Sequence, residues 1–533
     1  MSKNILIGGA WPYANNSLHL GHLAGLISGD ILARYHRIKG DNVLYVSGTD
    51  CHGTPITERA KKEGRTAKEI AEQYHEEFSK TFKAMDFSYD LYSKTETDYH
   101  AKKVQEIFKK LYDNGYIYEK IEPQAYCEKC NKFLQDREIQ IKCPECGEIT
   151  KADQCDNCGH TPTVEELKDG VCLVCGSKAI EKDNKNLYFA LSKFQDAIQN
   201  LLNNSKDKWR LNAINETQKY LNNTLPDRAV TRELEWGIDT PVPGYENKKI
   251  YVWIEAVMGY LTAAHKYCNE NGIDFEKFFT SDDLITYYIH GKDNITFHTV
   301  IYPALLLAMG HNYKLPDYII SSEYLNFGDL KMSKSAGTGI FIKDMLEKYD
   351  SDTIRYYILA NNPEKRDTNF KMDEFIQAHN KHLVGEYGNF VNRNLAFINK
   401  KFDGVVSTGK MDESIMNHIK DLYKEVGTLI SKGELRSALD LIWSLVSDAN
   451  KYYDEMQPWV LVKEDIEKFN DVTYTCLNLM GNIANMLEPF IPKSSKKLKE
   501  MLKITTDNWN YVTVEQNLHL NNVEILFNRI DSE

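Results

Sequence analysis

Near its start the chain carries an uninterrupted apolar run, Ile5-Leu6-Ile7 followed by Gly8, and then apolar residues three or four apart at Leu20, Leu23, Ile27, Ile31 and Tyr35. The first pattern predicts a buried strand and the second an amphipathic helix. A strand-like run, Asn42-Val43-Leu44-Tyr45-Val46-Ser47-Gly48-Thr49-Asp50, completes the opening βαβ of an α/β fold with a doubly wound parallel sheet. Helical periodicity follows from Glu69 to Met85 and from Tyr99 to Asn114. A second α/β portion is predicted from Lys249-Ile250-Tyr251-Val252-Trp253, a strand from Asp283 to Gly291, an apolar helix from Phe297 to Met309 and the strand Tyr318-Ile319-Ile320-Ser321. From about Asp373 to about Lys503 strands nearly vanish and helical spacing dominates, which predicts an appended helical bundle.

Bulk properties narrow the class. The chain has 533 residues, enough for roughly three to five domains. Its 42% hydrophobic and 27% charged content excludes a disordered protein, and it contains no run of about eighteen apolar residues. Asn4 and Ile5 open directly into a strand with no signal-like core, so a cytoplasmic protein is expected. The net charge of −12 argues against a general nucleic-acid coat. An RNA ligand therefore needs local basic patches, for which Lys371 to Lys401 (with Lys381, Arg393, Lys400 and Lys401) and Lys493 to Lys503 are candidates.

Eight of the eleven cysteines form four C-x-x-C pairs: Cys127/Cys130, Cys143/Cys146, Cys155/Cys158 and Cys172/Cys175. Gly147, Gly159 and Gly176 follow three of them directly. This spacing places two thiolates on one side of a tight turn and suits tetrahedral zinc, whereas disulfides would need an oxidising compartment. Two structural Zn2+ ions are the simplest count. A nested arrangement, with the inner four cysteines on one ion and the outer four on the other, is favoured over sequential pairing, although spacing does not decide it. Cys51, Cys268 and Cys476 stand alone and read as packing.

Two short segments carry nucleotide chemistry. His19-Leu20-Gly21-His22 opens the first helix, where backbone N–H groups and the helix dipole attract phosphate. Lys331-Met332-Ser333-Lys334-Ser335 lies between Gly328 and the pair Gly337 and Gly339, which predicts a mobile loop able to close two ammonium groups on a pyrophosphate. Taken alone, a lysine–serine loop is usually a solvated turn and a histidine pair a helix cap. In this order and at this separation, the two segments resemble the HIGH and KMSKS signatures of class I aminoacyl-tRNA synthetases.

Ligands of open α/β sheets sit beyond the carboxyl ends of the strands. Gly8 to Tyr13, Asp50, Trp253 to Tyr260 and Gly291 to His298 are expected there. Asp50 offers a carboxylate for an α-ammonium group, while Tyr13, Trp253, Tyr260, Phe297 and His298 offer an aromatic pocket suited to a thioether. The stretches Ala10-Trp11-Pro12-Tyr13-Ala14-Asn15, Asp50 with His52-Gly53-Thr54-Pro55, Tyr251-Val252-Trp253, Gly259-Tyr260, Gly291-Lys292-Asp293 and Phe297-His298 resemble those of methionyl-tRNA synthetases. The four cysteine pairs resemble the form of that family with a doubled zinc knuckle.

The resemblance implies a Rossmann-type catalytic core with a zinc-knuckle insertion and a C-terminal α-helical anticodon-binding bundle. It implies that Ala10, Trp11, Tyr13, Asp50, Trp253, Ala256, Tyr260, Phe297 and His298 surround methionine. His19, Gly21, His22, Gly291, Asp293, Lys331, Met332, Ser333, Lys334 and Ser335 would hold ATP, which arrives with Mg2+. His19, His22, Lys331, Lys334 and Arg232 would be catalytic, and Asn389, Arg393 and Trp459 would read the CAU anticodon of elongator and initiator tRNA(Met). Trp11 and Asn294 stand where some members carry aliphatic residues.

The expected boundaries are 1–117 for the first half of the catalytic domain, 118–229 for the insertion and 230–320 for the second half. The lysine-loop region is placed at 321–375 and the anticodon-binding domain at 376–533. A monomer without an editing domain is expected, with a separate tRNA-binding partner protein left open. Two other readings stay open: a class I synthetase for cysteine, leucine, isoleucine or valine, and a non-catalytic RNA-binding module that kept the fold. A zinc-ribbon nucleic-acid binder is a third reading for residues 118–229 alone.

Overall fold

The computed structural model describes residues 2–134, 138–151, 166–167, 170–327, 330–331 (backbone only), 339–406 and 408–531. The chain forms two compact units, one of residues 1–100, 196–223 and 256–533, the other of residues 101–195 and 224–255.

The first unit is built on a five-stranded sheet in the order Tyr318–Ser322, Leu284–Gly291, Asn4–Gly9, Asn42–Thr49, Leu91–Lys94, with every pairing parallel. Ile5, Leu6 and Ile7 in its central strand are wholly buried, as expected of a strand covered on both faces. Chain order reverses between Asn4–Gly9 and Leu284–Gly291, which makes the crevice beyond Gly9 and Gly291 the switch point of the sheet. The edge strand Leu91–Lys94 and the helix Thr54–Glu63 are additions to the elements read from the sequence. Both are short, and the helix hides its few apolar positions among charges.

The helix Leu20–Ile38 packs against the sheet and buries Leu20, Leu23, Ile27, Ile31 and Tyr35, the stripe seen in the sequence. Asp30, on the same helix, is wholly buried and bonded to Arg34, to Arg355 and to the backbone N–H and hydroxyl of Ser88. Arg355 is equally buried and also donates to the carbonyls of Met85, Pro489 and Phe490. Full pairing is what makes two buried charges tolerable, and removing either would strand the other. Through Arg355 the helix is tied to the bundle formed by Asn389–Phe402, Glu413–Ser431, Leu435–Met456, Ile466–Leu487 and Pro492–Met501. Buried Asn478, Asn482 and Asn485 line the helix Ile466–Leu487 and bond to backbone groups of residues 508–514, pinning that irregular segment.

The second unit centres on the long antiparallel pair Ile117–Cys127 and Ile180–Phe189, in register from Ile117↔Phe189 to Tyr126↔Ile180. Three short strands, Ile139–Lys142, Ile149–Lys151 and Val171–Cys172, form a small sheet beyond it. The strand Thr231–Arg232 pairs with Lys249–Ile250. The run Lys249 to Trp253 is strand for only its first two residues, because the helix Val252–Val257 follows at once. Its β-branched and aromatic side chains favour a strand locally, but Val252, Ile254 and Val257 are buried from a helix, and that packing prevails. Among the described residues, no helix is long and apolar enough to cross a membrane.

Candidate active site

His19 is the N-cap of the helix Leu20–Ile38, and the two histidines of the first motif cap each other's backbone. The Gly21 N–H donates to Nδ1 of His19 at 3.1 Å, and the His19 N–H donates to Nδ1 of His22 at 3.1 Å. The rings lie 3.8 Å apart between centroids. A Cβ on Gly21 would come within 2.8 Å of the His19 ring, so glycine is required between them. The motif thus places two imidazoles and a dipole-positive helix start at the switch point.

The lysine loop is rooted at both ends. Before it, Leu325–Phe327 pairs antiparallel with Leu330–Lys331. After it, the Leu20 N–H donates to the carbonyl of Ile340 at 3.0 Å and the Ile342 N–H to that of Leu18 at 2.9 Å. Gly339, at a φ of +150° that favours glycine, lies where a Cβ would be 3.6 Å from Cβ of His19. The loop therefore returns against the first motif although the two are three hundred residues apart in the chain. Met332, Ser333, Lys334 and Ser335, with the side chain of Lys331, lie outside the described residues.

At the end of the strand Leu284–Gly291, Lys292 makes ion pairs with Glu323 at 2.6 Å and Asp367 at 2.7 Å and sits 4.1 Å from the Tyr324 ring. Tyr324 in turn donates to Asp293. Lys292, which the sequence marks only as part of the stretch Gly291-Lys292-Asp293, and Tyr324, which it does not mark, join Gly291 and Asp293 there.

The pocket residues of the first unit cluster around a buried hydrogen-bond chain. His298 Nδ1 lies 2.7 Å from the carbonyl of Asn294, which only accepts, so Nδ1 carries the proton. Burial pushes the His298 pKa down to about 4 and keeps the ring neutral, leaving Nε2 to accept from the Tyr260 hydroxyl at 2.8 Å. Tyr260 is packed so tightly that a Cβ on Gly8 would lie 2.8 Å from its ring. His290 stacks on His298 at 4.0 Å with 15° between the planes, and burial also drives its pKa down. His290 was absent from the sequence reading. Its signal was period-two spacing from Tyr288, whose ring lies 5.2 Å from that of Tyr260.

Beside this chain, the Ala10 N–H donates to the carbonyl of Ile289, and Tyr13 and Asp50 form a short parallel bridge. Asp50 is buried where the second strand ends, and one oxygen accepts from the His52 N–H at 3.3 Å. The Trp11 indole wedges between two glycines: a Cβ on Gly48 would approach it to 2.6 Å, and one on Gly259 to 2.9 Å. Ala256 and Trp253 lie on the helix Val252–Val257, and Phe297 directly precedes His298. In the second unit, Arg232 stacks on Tyr251 at 4.3 Å and donates to the carbonyl of Thr231.

The outer cysteines converge. The Sγ atoms of Cys127, Cys130, Cys172 and Cys175 all lie within 4.8 Å of one another, with Cys127–Cys175 at 3.4 Å and Cys130–Cys172 at 3.9 Å. Four thiolates on one tetrahedral zinc sit about 3.8 Å apart, so this donor set fits such an ion and no other ligand type is needed. This is the outer half of the nested arrangement. Cys143 and Cys146 build the same kind of turn, with Gly147 donating to Cys143 as Gly176 donates to Cys172. Cys155, Cys158 and Gly159 lie outside the described residues. Cys51, Cys268 and Cys476 are wholly buried.

In the helical region, Asn389 is exposed at the start of Asn389–Phe402, and Arg393 lies one turn on. The Arg393 guanidinium is 4.3 Å from the Tyr453 ring and 6.0 Å from that of Trp459, and it pairs with Asp454. Trp459 is 41% exposed. Gln457, at a φ of 45°, breaks the helix before Pro458 and turns Trp459 back toward Tyr453, with ring centroids 5.6 Å apart. Tyr453 belongs to this cluster, and nothing in its sequence neighbourhood marks it out from core tyrosines.

Comparison with known proteins agrees with the geometry. Residues 5–395 match the family model for tRNA synthetases class I (M), and residues 404–532 match that for the anticodon binding domain of methionyl tRNA ligase. Methionine–tRNA ligase 1 of Alkaliphilus oremlandii is 49% identical over 99% of this chain and 98% of its own length. The methionine–tRNA ligase of Bacillus cereus strain B4264 is 48% identical over 99% and 97%. The fold is similar to that of Mycobacterium tuberculosis methionyl-tRNA synthetase in complex with methionyl-adenylate, with a TM-score of 0.83 at 24% identity over 99% of this chain and 100% of that one. By both its catalytic and its anticodon-binding portions, the chain belongs to the methionine–tRNA ligase family of class I tRNA synthetases.

Proposed function

We infer that the protein is a methionine–tRNA ligase, which activates L-methionine with ATP, releases pyrophosphate and transfers the methionyl group to tRNA(Met). The methionine carboxylate attacks the α-phosphate of ATP, which is delivered with Mg2+, and the bond to pyrophosphate breaks. The nucleophile is already ionised, so no general base is required and catalysis is positioning plus electrostatics. His19, Gly21 and His22 at the helix start face the phosphates, with Gly291 and Asp293 on the neighbouring strand end. Lys331 and Lys334, on the loop with Met332, Ser333 and Ser335, neutralise the departing pyrophosphate, and Arg232 assists activation.

Methionine is held by Ala10, Trp11, Tyr13, Asp50, Trp253, Ala256, Tyr260, Phe297 and His298. Asp50 meets the ammonium group, while Tyr260 and His298 present a neutral hydrogen-bonded pair to the thioether end. Asn389, Arg393 and Trp459 bind anticodon bases by edge contacts and stacking. Cys127, Cys130, Cys172 and Cys175 would hold one structural zinc, and Cys143, Cys146, Cys155 and Cys158 a second, and an ion taken up by four thiolates would serve structure and not chemistry. The chain works as a cytoplasmic monomer, with the insertion at 118–229 as a structural arm, 321–375 as the lysine-loop region and 376–533 as the anticodon-binding domain.

The observation that carries this reading is the docking of residues 340–342 on Leu18 to Leu20, which roots the lysine loop beside the histidine-capped helix start. Amino-acid-dependent exchange of labelled pyrophosphate into ATP tests it. Exchange with methionine alone is expected, and Lys334→Ala lowers it on the order of 10²–10³-fold. Exchange with leucine or cysteine in place of methionine would sink the pocket assignment, and no exchange with any amino acid would sink the enzymatic reading.

A further inference from the structure

Lys248 is 5% exposed, yet its ammonium group is not paired as a surface lysine would be. Its three N–H bonds have three oxygen acceptors: Oδ1 of Asn184 at 2.7 Å, the carbonyl of Lys185 at 2.6 Å and Oδ1 of Asn186 at 2.8 Å. Glu233 supplies the counter-charge at 3.5 Å. Burial pulls the Lys248 pKa down, Glu233 pushes it up and the Arg232 charge pulls it down further. A hydrophobic side chain here would leave these acceptors and Glu233 without their donor, so the lysine serves the local fold, and its further role lies in what those acceptors are attached to.

What the tripod holds is the strand that carries Arg232. Asn186 Oδ1, which accepts from Lys248, also accepts from the Thr231 hydroxyl at 3.3 Å, and that hydroxyl accepts from the Leu187 N–H at 3.0 Å. Thr231–Arg232 is only two residues long and pairs with Lys249–Ile250, the residues directly after Lys248. So short a strand has little ladder of its own to fix its register. The Arg232 guanidinium is aimed by two contacts, the Thr231 carbonyl at 3.0 Å and the Tyr251 ring at 4.3 Å, and both belong to these two strands or the residue after them.

We propose that Lys248 is a positioning residue for amino-acid activation, which fixes the direction of the Arg232 guanidinium through Asn186 and Thr231. The inference rests on the activation role assigned to Arg232. Lys248 touches no reacting atom; a fixed strand keeps Arg232 oriented before substrates bind, so that no reorganisation is needed as charge develops.

The test is a double-mutant cycle in full-length, zinc-loaded protein, read by methionine-dependent pyrophosphate exchange. Lys248→Met keeps the unbranched stem up to Cε and removes the donors and the charge; Thr231→Val removes the bridge without touching a charge. Each is expected to lower kcat about tenfold or more with the KM for methionine changed less than twofold, and to cost little further in an Arg232→Ala background. Full additivity with Arg232→Ala, or lower thermal stability with unchanged kcat in the folded variants, overturns the proposal. Should Lys248→Met fail to fold, Thr231→Val decides by the same criteria. A silent Arg232→Ala overturns both the role of Arg232 and this inference. A costly Arg232→Ala beside silent Lys248→Met and Thr231→Val overturns the inference alone.

Discussion

The wall built by Tyr260, His298 and His290 and the face built by Arg393, Tyr453 and Trp459 use similar side chains in opposite ways. In the wall the aromatic rings are buried, the imidazoles are neutral, and Tyr260, His298 and Asn294 form one chain of hydrogen bonds. On the face the tryptophan is half-exposed and the arginine half-buried, paired with a surface carboxylate that a ligand can displace. A small ligand of fixed shape is best met by a site that has already met the cost of ordering. Unstacked RNA bases are best met by exposed rings and a cation whose partner is loosely held. On the roles proposed above, preorganisation is concentrated where discrimination by size and polarity is needed, because a methylene is worth only about 1–3 kcal/mol in shape alone.

The sharpest way to break the comparison is His298→Ala. It leaves the buried Tyr260 hydroxyl without its acceptor, and kcat/KM for methionine in pyrophosphate exchange should fall roughly 10²-fold, with tRNA charging falling in parallel. A change under threefold would show that the wall is packing and nothing more. Trp459→Ala is the counterpart. Losing one stacking platform should raise the KM for tRNA about tenfold while pyrophosphate exchange, which needs no tRNA, stays where it was. If exchange falls as well, the face and the wall are coupled and the division of labour fails.

The smallest effect concerns pH. His290 and His298 both have folded pKa values below that of free histidine, His298 at about 4. Between that value and about 6.5 the unfolded chain binds protons that the folded one does not, so stability is complete above about pH 6.5 and falls as pH drops through this window. The slope is at most about 1.4 kcal/mol per pH unit for each histidine. Urea midpoints at pH 7 and pH 5 should draw closer together in His298→Gln than in the native chain. An identical difference in both would exclude His298 as a source of the acid sensitivity.

Much of this architecture was legible in the chain itself. The unbroken run Ile5-Leu6-Ile7 meant a strand buried on both faces, and the stripe from Leu20 to Tyr35 meant one helix packed on it, because periodicity reports burial directly. His19 and His22 at a helix start, and two cysteines per tight turn, are local patterns whose chemistry follows from spacing. Other features depend on residues brought together from far along the chain. Nothing between Gly339 and Ile342 reveals that it will pair with Leu18 to Leu20. Nothing around Gly48 and Gly259 says that both are shaped by the Trp11 ring.

The run from Lys249 to Trp253 carries strand-like side chains, yet it is strand only at Lys249 and Ile250 and turns into helix from Val252, since packing outweighs a β preference worth at most about 1 kcal/mol. His290, Tyr453 and Lys248 read as ordinary core or surface residues until their partners are seen. Sequence alone determined which elements form and which local motifs can bind phosphate, zinc or an aromatic-lined ligand, because those depend on neighbours within a few residues. Only the tertiary structure decided which charges are buried, which protonation states they hold and which distant groups share a site, because those are set by the solvent each group loses when the chain folds.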